Sequence, residues 1–230
     1  MIEELAQEEF EVYLAKNELK LRQLLKKYSD SIVFANISEG MKESGWEAWI
    51  KSVTENIAAV DVGVIAAAEN PTLKLKYLKQ LNVRCGFTVM KPDISAVIKQ
   101  LEEILASANA KGRRKYVRAL TGDETNITVN LPANGGFVNG AIKDISSVGF
   151  SCSFSEDPNL TKNSSITDMQ IRLKTQLVKA QGLVFGSRME GLEKIYVVLL
   201  SPHTSPDVHT KIRKFIHAHL QSKMDSELKL

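Results

Sequence analysis

The sequence has few cysteines and no long apolar run, and each scarcity excludes a class of protein. Its two cysteines, Cys85 and Cys152, stand far apart in a chain of 230 residues, so we expect no disulfide framework and a reducing, cytoplasmic setting. No apolar run approaches the ~20 residues that a transmembrane helix needs. The acidic start MIEELAQEEF also lacks the basic and then apolar stretch of a secretory signal.

Sequence motifs of catalysis are missing as well. The chain contains no GxSxG, P-loop, HExxH or CxxC pattern. A helix would point His217 and His219, two residues apart, to different sides, which makes them a poor metal pair. We therefore expect a protein that is not an enzyme and holds no cofactor or metal, with Cys152 in the core. Surface or helix-packing roles are expected for all four histidines, His203, His209, His217 and His219.

Residues 1–108 are predicted to form a small α/β domain. Three apolar runs without strict alternation, at 31–37, 60–68 and 83–90, are typical of parallel strands buried on both faces. The segments between these runs have helical periodicity, as do the first 28 residues. Strands that alternate with helices favour a parallel sheet of the receiver or flavodoxin type.

This domain resembles a response-regulator receiver in the pair Lys91-Pro92, which follows a strand. A receiver carries its phosphoacceptor aspartate at the carboxyl end of a central strand. Here the strand at 60–68 ends in Ala66-Ala67-Ala68-Glu69, and its one aspartate, Asp61, lies at the start. The acidic pair that would hold Mg²⁺ is also missing after the first strand. The resemblance implies a receiver-like scaffold, and the missing acidic residues indicate that it serves contacts and lacks phosphorylation chemistry.

Residues 109–230 are predicted to form a second domain, an antiparallel barrel or sandwich that ends in a helix. After a small, polar hinge at 106–112 the apolar period changes from 3.6 to 2, with alternation at 127–131, 150–154 and 171–177. Turn-forming stretches separate these runs. The last helix should begin at Pro206 and bury a stripe made of Val208, Ile212, Phe215, Ile216 and Leu220.

Charge divides the chain in the same place. Residues 1–110 carry 13 basic and 16 acidic side chains, whereas residues 111–230 carry 17 and 11. The sign changes at KGRRKYVR (111–118), the densest basic cluster of the sequence. An anionic partner is therefore expected to dock on the second half, although such a cluster can also be a solvated linker.

Two short motifs make the second half more informative. Arg114 and Arg118 form an RxxxR pattern inside the basic cluster, and Asp144, Ser146 and Gly149 form DxSxxG after a predicted strand. With both motifs in this order and on a predicted barrel, residues 112–220 resemble the PilZ family, bacterial receptors for the second messenger cyclic di-GMP. Many members have glycine at the position of Val148 and proline at that of Val117, so the match is incomplete outside the minimal motifs.

The resemblance places these five motif residues at the ligand, and their chemistry suits it. A guanidinium donates two parallel hydrogen bonds to a phosphate or to the O6 and N7 atoms of guanine. The carboxylate of Asp144 can only accept, and the Watson–Crick edge of guanine offers N–H donors. Ser146 can donate and accept, and Gly149 would let the backbone turn sharply near the ligand. The competing interpretation is a strand-to-turn element with a local hydrogen bond.

Arg113, directly before the RxxxR pair, bears on stoichiometry. In the family this position influences whether one or two ligands bind. A third guanidinium could pair with a second, stacked cyclic di-GMP, so we expect two ligand molecules per chain. The alternative is that Arg113 points into water.

The sequence thus predicts a cytoplasmic cyclic di-GMP effector in which the ligand orders the linker and changes the domain arrangement. A protein partner, contacted through the first domain or the barrel surface, would carry a signal in motility or virulence control. The alternative is a regulator that binds nucleic acid through its basic second half. The sequence contains no recognised nucleic-acid-binding motif that would support this alternative.

Overall fold

The computed structural model describes residues 1–111, 114–122, 124–133 and 136–229. The chain divides into two compact units. The first consists of Met1–Arg113 together with Lys223–Leu230, and the second of Arg114–Ser222. Residues 109–113 and the segment from residue 223 onward, both expected in the second domain, are grouped with the first unit.

A parallel three-stranded sheet forms the centre of the first unit, which confirms the predicted α/β class. Its strands lie side by side in chain order, so each strand pairs with the next along the sequence. Val64 and Ile65 point to opposite faces of the middle strand and both are buried, as a parallel sheet covered on both faces requires. The strands are β1 (Ile32–Asn36), β2 (Asp61–Ala66) and β3 (Phe87–Val89).

Helices supply two separate apolar clusters in this unit. One cluster joins Leu25, Trp49 and Tyr77 to the sheet, and the other joins Leu5 and Leu101. The fourth helix runs on into a π-helical turn over Lys76–Gln80. The helices are α1 (Ile2–Gln7), α2 (Glu18–Lys27), α3 (Glu43–Asn56), α4 (Pro71–Leu75) and α5 (Ile94–Ser107).

The expectation of one helix over the first 28 residues is wrong. α1 ends at Gln7, and Glu9 has a left-handed backbone with φ of 62°. This break lets Phe10 bury its ring in the second cluster. α2 then starts afresh, with the side chain of Asn17 accepting a hydrogen bond from the backbone N–H of Lys20 at 2.9 Å. The apolar period alone does not show that a buried ring and an N-cap divide the segment.

The second unit is a closed antiparallel barrel, as predicted. Six strands form a ring in the order β6-β5-β8-β9-β10-β7, and β7 pairs back onto β6. The short strand β4 extends the same edge of β6 beyond the end of β5. The strands are β4 (Arg118–Leu120), β5 (Ile127–Ala133), β6 (Gly136–Ser146), β7 (Gly149–Phe154), β8 (Ser165–Leu173), β9 (Gln176–Glu190) and β10 (Glu193–Leu200).

A terminal helix, α6 (Pro206–Lys229), begins at the predicted proline. Its predicted stripe is present, since Val208, Ile212, Phe215 and Ile216 are buried in the barrel core and Leu220 packs against that core. In the rest of the core, side chains from alternate strand positions point into the barrel, among them Ile127, Ile142, Cys152, Ile171 and Val198.

The prediction of one strand over 171–177 is wrong. β8 ends at Leu173, and β9 begins at Gln176, the residue opposite it. Between them Lys174 has a φ of 60°, so the chain reverses direction there. Leu177, expected on the same face as Ile171, is consequently exposed on the next strand. No glycine or asparagine marks this left-handed turn residue, so the alternation in the sequence continues through the turn.

Both cysteines are buried as free thiols, Cys85 in the first unit and Cys152 in the barrel core. Burial raises the pKa of Cys85 to about 11 and that of Cys152 to about 12. Each thiol therefore stays protonated at neutral pH, and Cys152 is the core residue that the sequence predicted.

A polar cluster holds the loop between β7 and β8 against β10. The hydroxyl of Tyr196 donates to Oδ1 of Asp157, and the ammonium of Lys194 donates to Oδ2 at 2.9 Å. These two donors, Tyr196 first, hold the pKa of Asp157 at about 2, below its usual 3.8. The carboxylate is therefore ionised at every pH above about 3, and its loop is tied to the barrel under the same conditions.

Replacing this carboxylate should make the stability of the barrel less sensitive to acid. Because the pKa of Asp157 is lower in the folded chain, its contribution is present above pH 4 and is lost as the pH falls toward 2. Asp157→Asn should thus melt below the wild type at pH 7 and approach it near pH 2, in thermal unfolding followed by circular dichroism. Tyr196→Phe, which keeps the carboxylate but removes the hydroxyl donor, should show part of the same loss. A difference between wild type and Asp157→Asn that stays constant over this pH range would contradict the assignment.

Candidate functional site

A tight hairpin carries the DxSxxG motif. Asp144 and Ser146 end β6, Ser147 and Val148 form the loop, and Gly149 begins β7. Ser146 and Gly149 form the pair that flanks this loop. The buried hydroxyl of Ser146 donates across the loop to the carbonyl of Gly149 at 3.0 Å. The motif therefore builds a short, pinned turn at one end of the barrel.

Strand β4 brings Arg118 to this hairpin. Arg118 lies opposite Ser146 in the antiparallel register, and Leu120 lies opposite Asp144. Nη1 of Arg118 is 3.6 Å from Oδ1 of Asp144. The sequence predicts no strand at Arg118, whereas in the structure Arg118 is the first residue of β4. The strand pairing explains how two motifs separated along the chain come together.

The carboxylate of Asp144 is held from two sides. Arg118 approaches Oδ1, and the hydroxyl of Ser151 donates to Oδ2 from the facing position on β7. The Asp144 side chain is 19% exposed, whereas that of Arg118 is 50% exposed. Asp144 is thus a fixed acceptor in a half-buried position, and the guanidinium beside it is open to a ligand.

Ser151 is a site residue that sequence reasoning missed. The alternation marks Ser151 only as a position between Phe150 and Cys152, although the neighbouring motif contains the signal. A two-residue loop at 147–148 pairs Ser146 with Gly149 and hence places Ser151 opposite Asp144. A hydroxyl facing a carboxylate across a hairpin is an expected hydrogen-bond partner.

Gly149 has a packing role in place of the expected sharp turn. Its φ lies outside the left-handed region, so the turn itself does not require glycine. A Cβ atom at this position would lie 2.4 Å from the backbone oxygen of Val198 and 3.2 Å from Cα of Leu199. The glycine therefore permits the close approach of β7 and β10 that closes the barrel.

The other two candidate arginines, Arg113 and Arg114, precede β4 in the sequence. Arg114 is exposed in the segment before β4. Arg113, which the sequence assigned to a second ligand, lies outside the described residues. The structure thus brings together Arg118, Asp144, Ser146 and Gly149, and leaves Arg114 at the surface.

These groups form a candidate site of mixed polarity. Arg118 offers N–H donors and a positive charge, and Asp144 offers acceptor oxygens beside it. Over the described residues, no group of three or more histidine, cysteine, aspartate or glutamate side chains is arranged to hold a metal ion. In the same part of the chain, every helix is too short or too polar to cross a membrane.

Among known proteins, solved structures match this chain in fold over about half of its length. No family model matches the sequence, and no curated protein matches it. In fold, the chain is similar to PilZ domains. The isolated PilZ domain with c-di-GMP of YcgR from Escherichia coli matches 51% of this chain and 99% of its own, at 11% identity and a TM-score of 0.42.

Two longer proteins match as well. YcgR from Escherichia coli in complex with c-di-GMP is 12% identical over 51% of this chain and 50% of its own, with a TM-score of 0.43. The Bacillus subtilis inhibitor of motility is 13% identical over 49% and 52%, with a TM-score of 0.41. The match thus spans about half the length of these two proteins. The assignment of the site depends on this chain's own barrel and motifs, because likeness at these scores is too distant to support it.

Proposed function

We propose that the second unit is a cyclic di-GMP receptor of the PilZ type. The observation that carries the proposal is the approach of Arg118 to Asp144, 3.6 Å apart, through the pairing of β4 with the motif hairpin. A chance co-occurrence of two short motifs gives no reason for their side chains to meet. In the folded chain they meet at one end of a closed barrel.

The ligand has two phosphates and two guanines, and the site offers a group suited to each. Arg118 and Arg114 supply guanidinium donors to a phosphate or to the O6 and N7 edge of a guanine. Asp144 accepts from the N–H groups of the Watson–Crick edge, because a carboxylate has no donor of its own. Its hydrogen bond from Ser151 limits the rotation of that carboxylate before the ligand arrives.

Ser146 and Gly149 act mainly by shaping the site. The hydroxyl proton of Ser146 is donated to the Gly149 carbonyl, which leaves its oxygen as the group free to meet a ligand. Gly149 admits β10 to the back of the hairpin. Both residues therefore belong to the receptor motif for reasons of geometry, and Arg118 and Asp144 provide its recognition chemistry.

A calorimetric titration of the full chain with cyclic di-GMP tests the proposal directly. We expect saturable binding with two molecules per chain. Two stacked cyclic di-GMP molecules carry four phosphate charges, and Arg113 adds a third guanidinium to neutralise them. Base stacking of the second molecule would contribute about 1–3 kcal/mol per base. Arg113→Leu should lower the stoichiometry toward one. A value of one in the unmutated protein would refute only the role of Arg113, whereas an absence of binding would refute the receptor assignment.

The proposed output is a change in the arrangement of the two units. The basic cluster 111–118 serves both as the linker and as the ligand clamp, so its closure on the nucleotide would favour one arrangement over others. A ligand drives such a shift only by as much as it prefers the closed state. A downstream protein partner would then bind that arrangement selectively.

A further inference from the structure

Two histidines of α6 hydrogen-bond to backbone carbonyls of the candidate site. Nδ1 of His209 lies 2.7 Å from the carbonyl oxygen of Ser147, and Nε2 of His219 lies 3.1 Å from that of Leu120. A carbonyl oxygen can only accept, so each of these ring nitrogens carries a hydrogen and donates it. The sequence had assigned both residues to surface or helix packing alone.

The two carbonyls belong to the two parts of the site that must meet. Ser147 is the first loop residue of the DxSxxG hairpin, and Leu120 lies opposite Asp144 on the strand that carries Arg118. The histidines are ten positions apart on one helix, which corresponds to roughly 15 Å along its axis. One ring thus holds the turn while the other holds the arginine strand.

The surroundings of His219 fix the direction in which its ring points. The ring is buried, with its centroid 5.6 Å from that of Phe215 on the preceding turn of α6. Its second nitrogen, Nδ1, is 3.7 Å from Oε1 of Glu124, on the loop after β4. With the ring held between an aromatic neighbour and a carboxylate, Nε2 is aimed at the Leu120 carbonyl.

We propose that His209 and His219 are positioning residues for the cyclic di-GMP site. The barrel core anchors α6 through its apolar stripe, so the helix is a rigid reference. The two imidazole donors then set the hairpin and the arginine strand at a fixed separation from that reference. This inference rests on the proposed receptor function, and neither histidine is expected to touch the ligand.

Removal and restoration of the two donors provide the test. His209→Ala and His219→Ala should each weaken cyclic di-GMP binding by roughly 2- to 10-fold, the effect of one lost neutral hydrogen bond. His209→Asn and His219→Gln place an amide N–H near the position of the lost ring donor and should restore most of the affinity. If the histidines only filled space, restoring the N–H donor would not restore the affinity. Equal weakening by the alanine and the amide variants would overturn the proposal.

His217→Ala is the matched control, because His217 lies on the same helix and its Nε2 has no hydrogen-bond partner among the residues that the structure describes. Its affinity should equal that of the wild type, and a loss as large as that of His219→Ala would count against the proposal. Hydrogen exchange of the ligand-free full chain gives a second readout. Faster exchange in 144–151 for His209→Ala, and in 118–122 for His219→Ala, is expected. Unchanged exchange would refute positioning of the hairpin and the arginine strand. Failure of the wild type to bind would refute the receptor assignment, and with it the role of both histidines at a cyclic di-GMP site.

Discussion

Arg118→Ala is expected to weaken cyclic di-GMP binding by roughly 5- to 150-fold, as measured by calorimetry of the full chain. This range corresponds to a loss of about 1–3 kcal/mol for one bidentate guanidinium contact. The barrel should stay folded, because Arg118 is half-exposed at the start of a three-residue strand. Its ion pair with Asp144 is a partly solvated one and contributes at most about 1 kcal/mol to folding.

Arg188→Ala is a closely matched control for this substitution. Arg188 is 51% exposed, against 50% for Arg118, and it also lies on a barrel strand beside a carboxylate, that of Glu190 at 2.6 Å. The two variants therefore remove the same charge from similar surroundings. Only Arg118→Ala should lose affinity. Similar losses in both would indicate a general dependence on positive charge, which is the behaviour of a nucleic-acid-binding surface.

Gly149→Ala should lower the thermal unfolding temperature by several degrees. The added methyl group would meet the Val198 backbone oxygen at 2.4 Å, and a strand backbone cannot rotate away as a side chain can. Overpacking of this kind costs about 1–3 kcal/mol. The added methyl group would strain the pairing of β7 with β10 and so disturb the ring of strands that supports the motif hairpin.

Gly186→Ala provides the comparison for this effect. Gly186 lies on β9 of the same barrel, with open space where its Cβ would be and no left-handed φ. Alanine there should leave the unfolding temperature unchanged or raise it. Alanine lowers the conformational entropy of the unfolded chain, which stabilises the fold by about 0.4–1 kcal/mol. If Gly149→Ala proved as stable as Gly186→Ala, the motif glycine would owe its presence to the ligand and not to the barrel.

The overall fold was largely predictable because periodicity survives in both units. Continuous apolar runs gave the three parallel strands, and period-two alternation gave the barrel strands β5 and β7. The predicted helix start at Pro206 was correct for a different reason, since proline is favoured at the first position of a helix. Errors came where a single residue in a left-handed conformation, Glu9 or Lys174, interrupts a pattern that continues on both sides.

The site was predictable only in its motif residues. Arg118 and Asp144 could be selected by their chemistry, but the strand that joins them is three residues long and too short to carry a period. His209 and His219 bond to backbone carbonyls, and a carbonyl is the same in every residue. No sequence pattern can therefore identify such a partner. Contacts made through the backbone become visible only once the chain is folded.

The division of the chain has a consequence for how the protein is made. The first unit is discontinuous in sequence, since it takes up the segment from residue 223 onward. There the carboxylate of Glu227 accepts hydrogen bonds from Lys27 at 2.8 Å and from Tyr28 at 3.1 Å. During synthesis on the ribosome, these contacts of the first unit can form only after the whole barrel has been translated. A fragment cut between the units would leave Lys27 and Tyr28 without that carboxylate, however well the remaining residues folded.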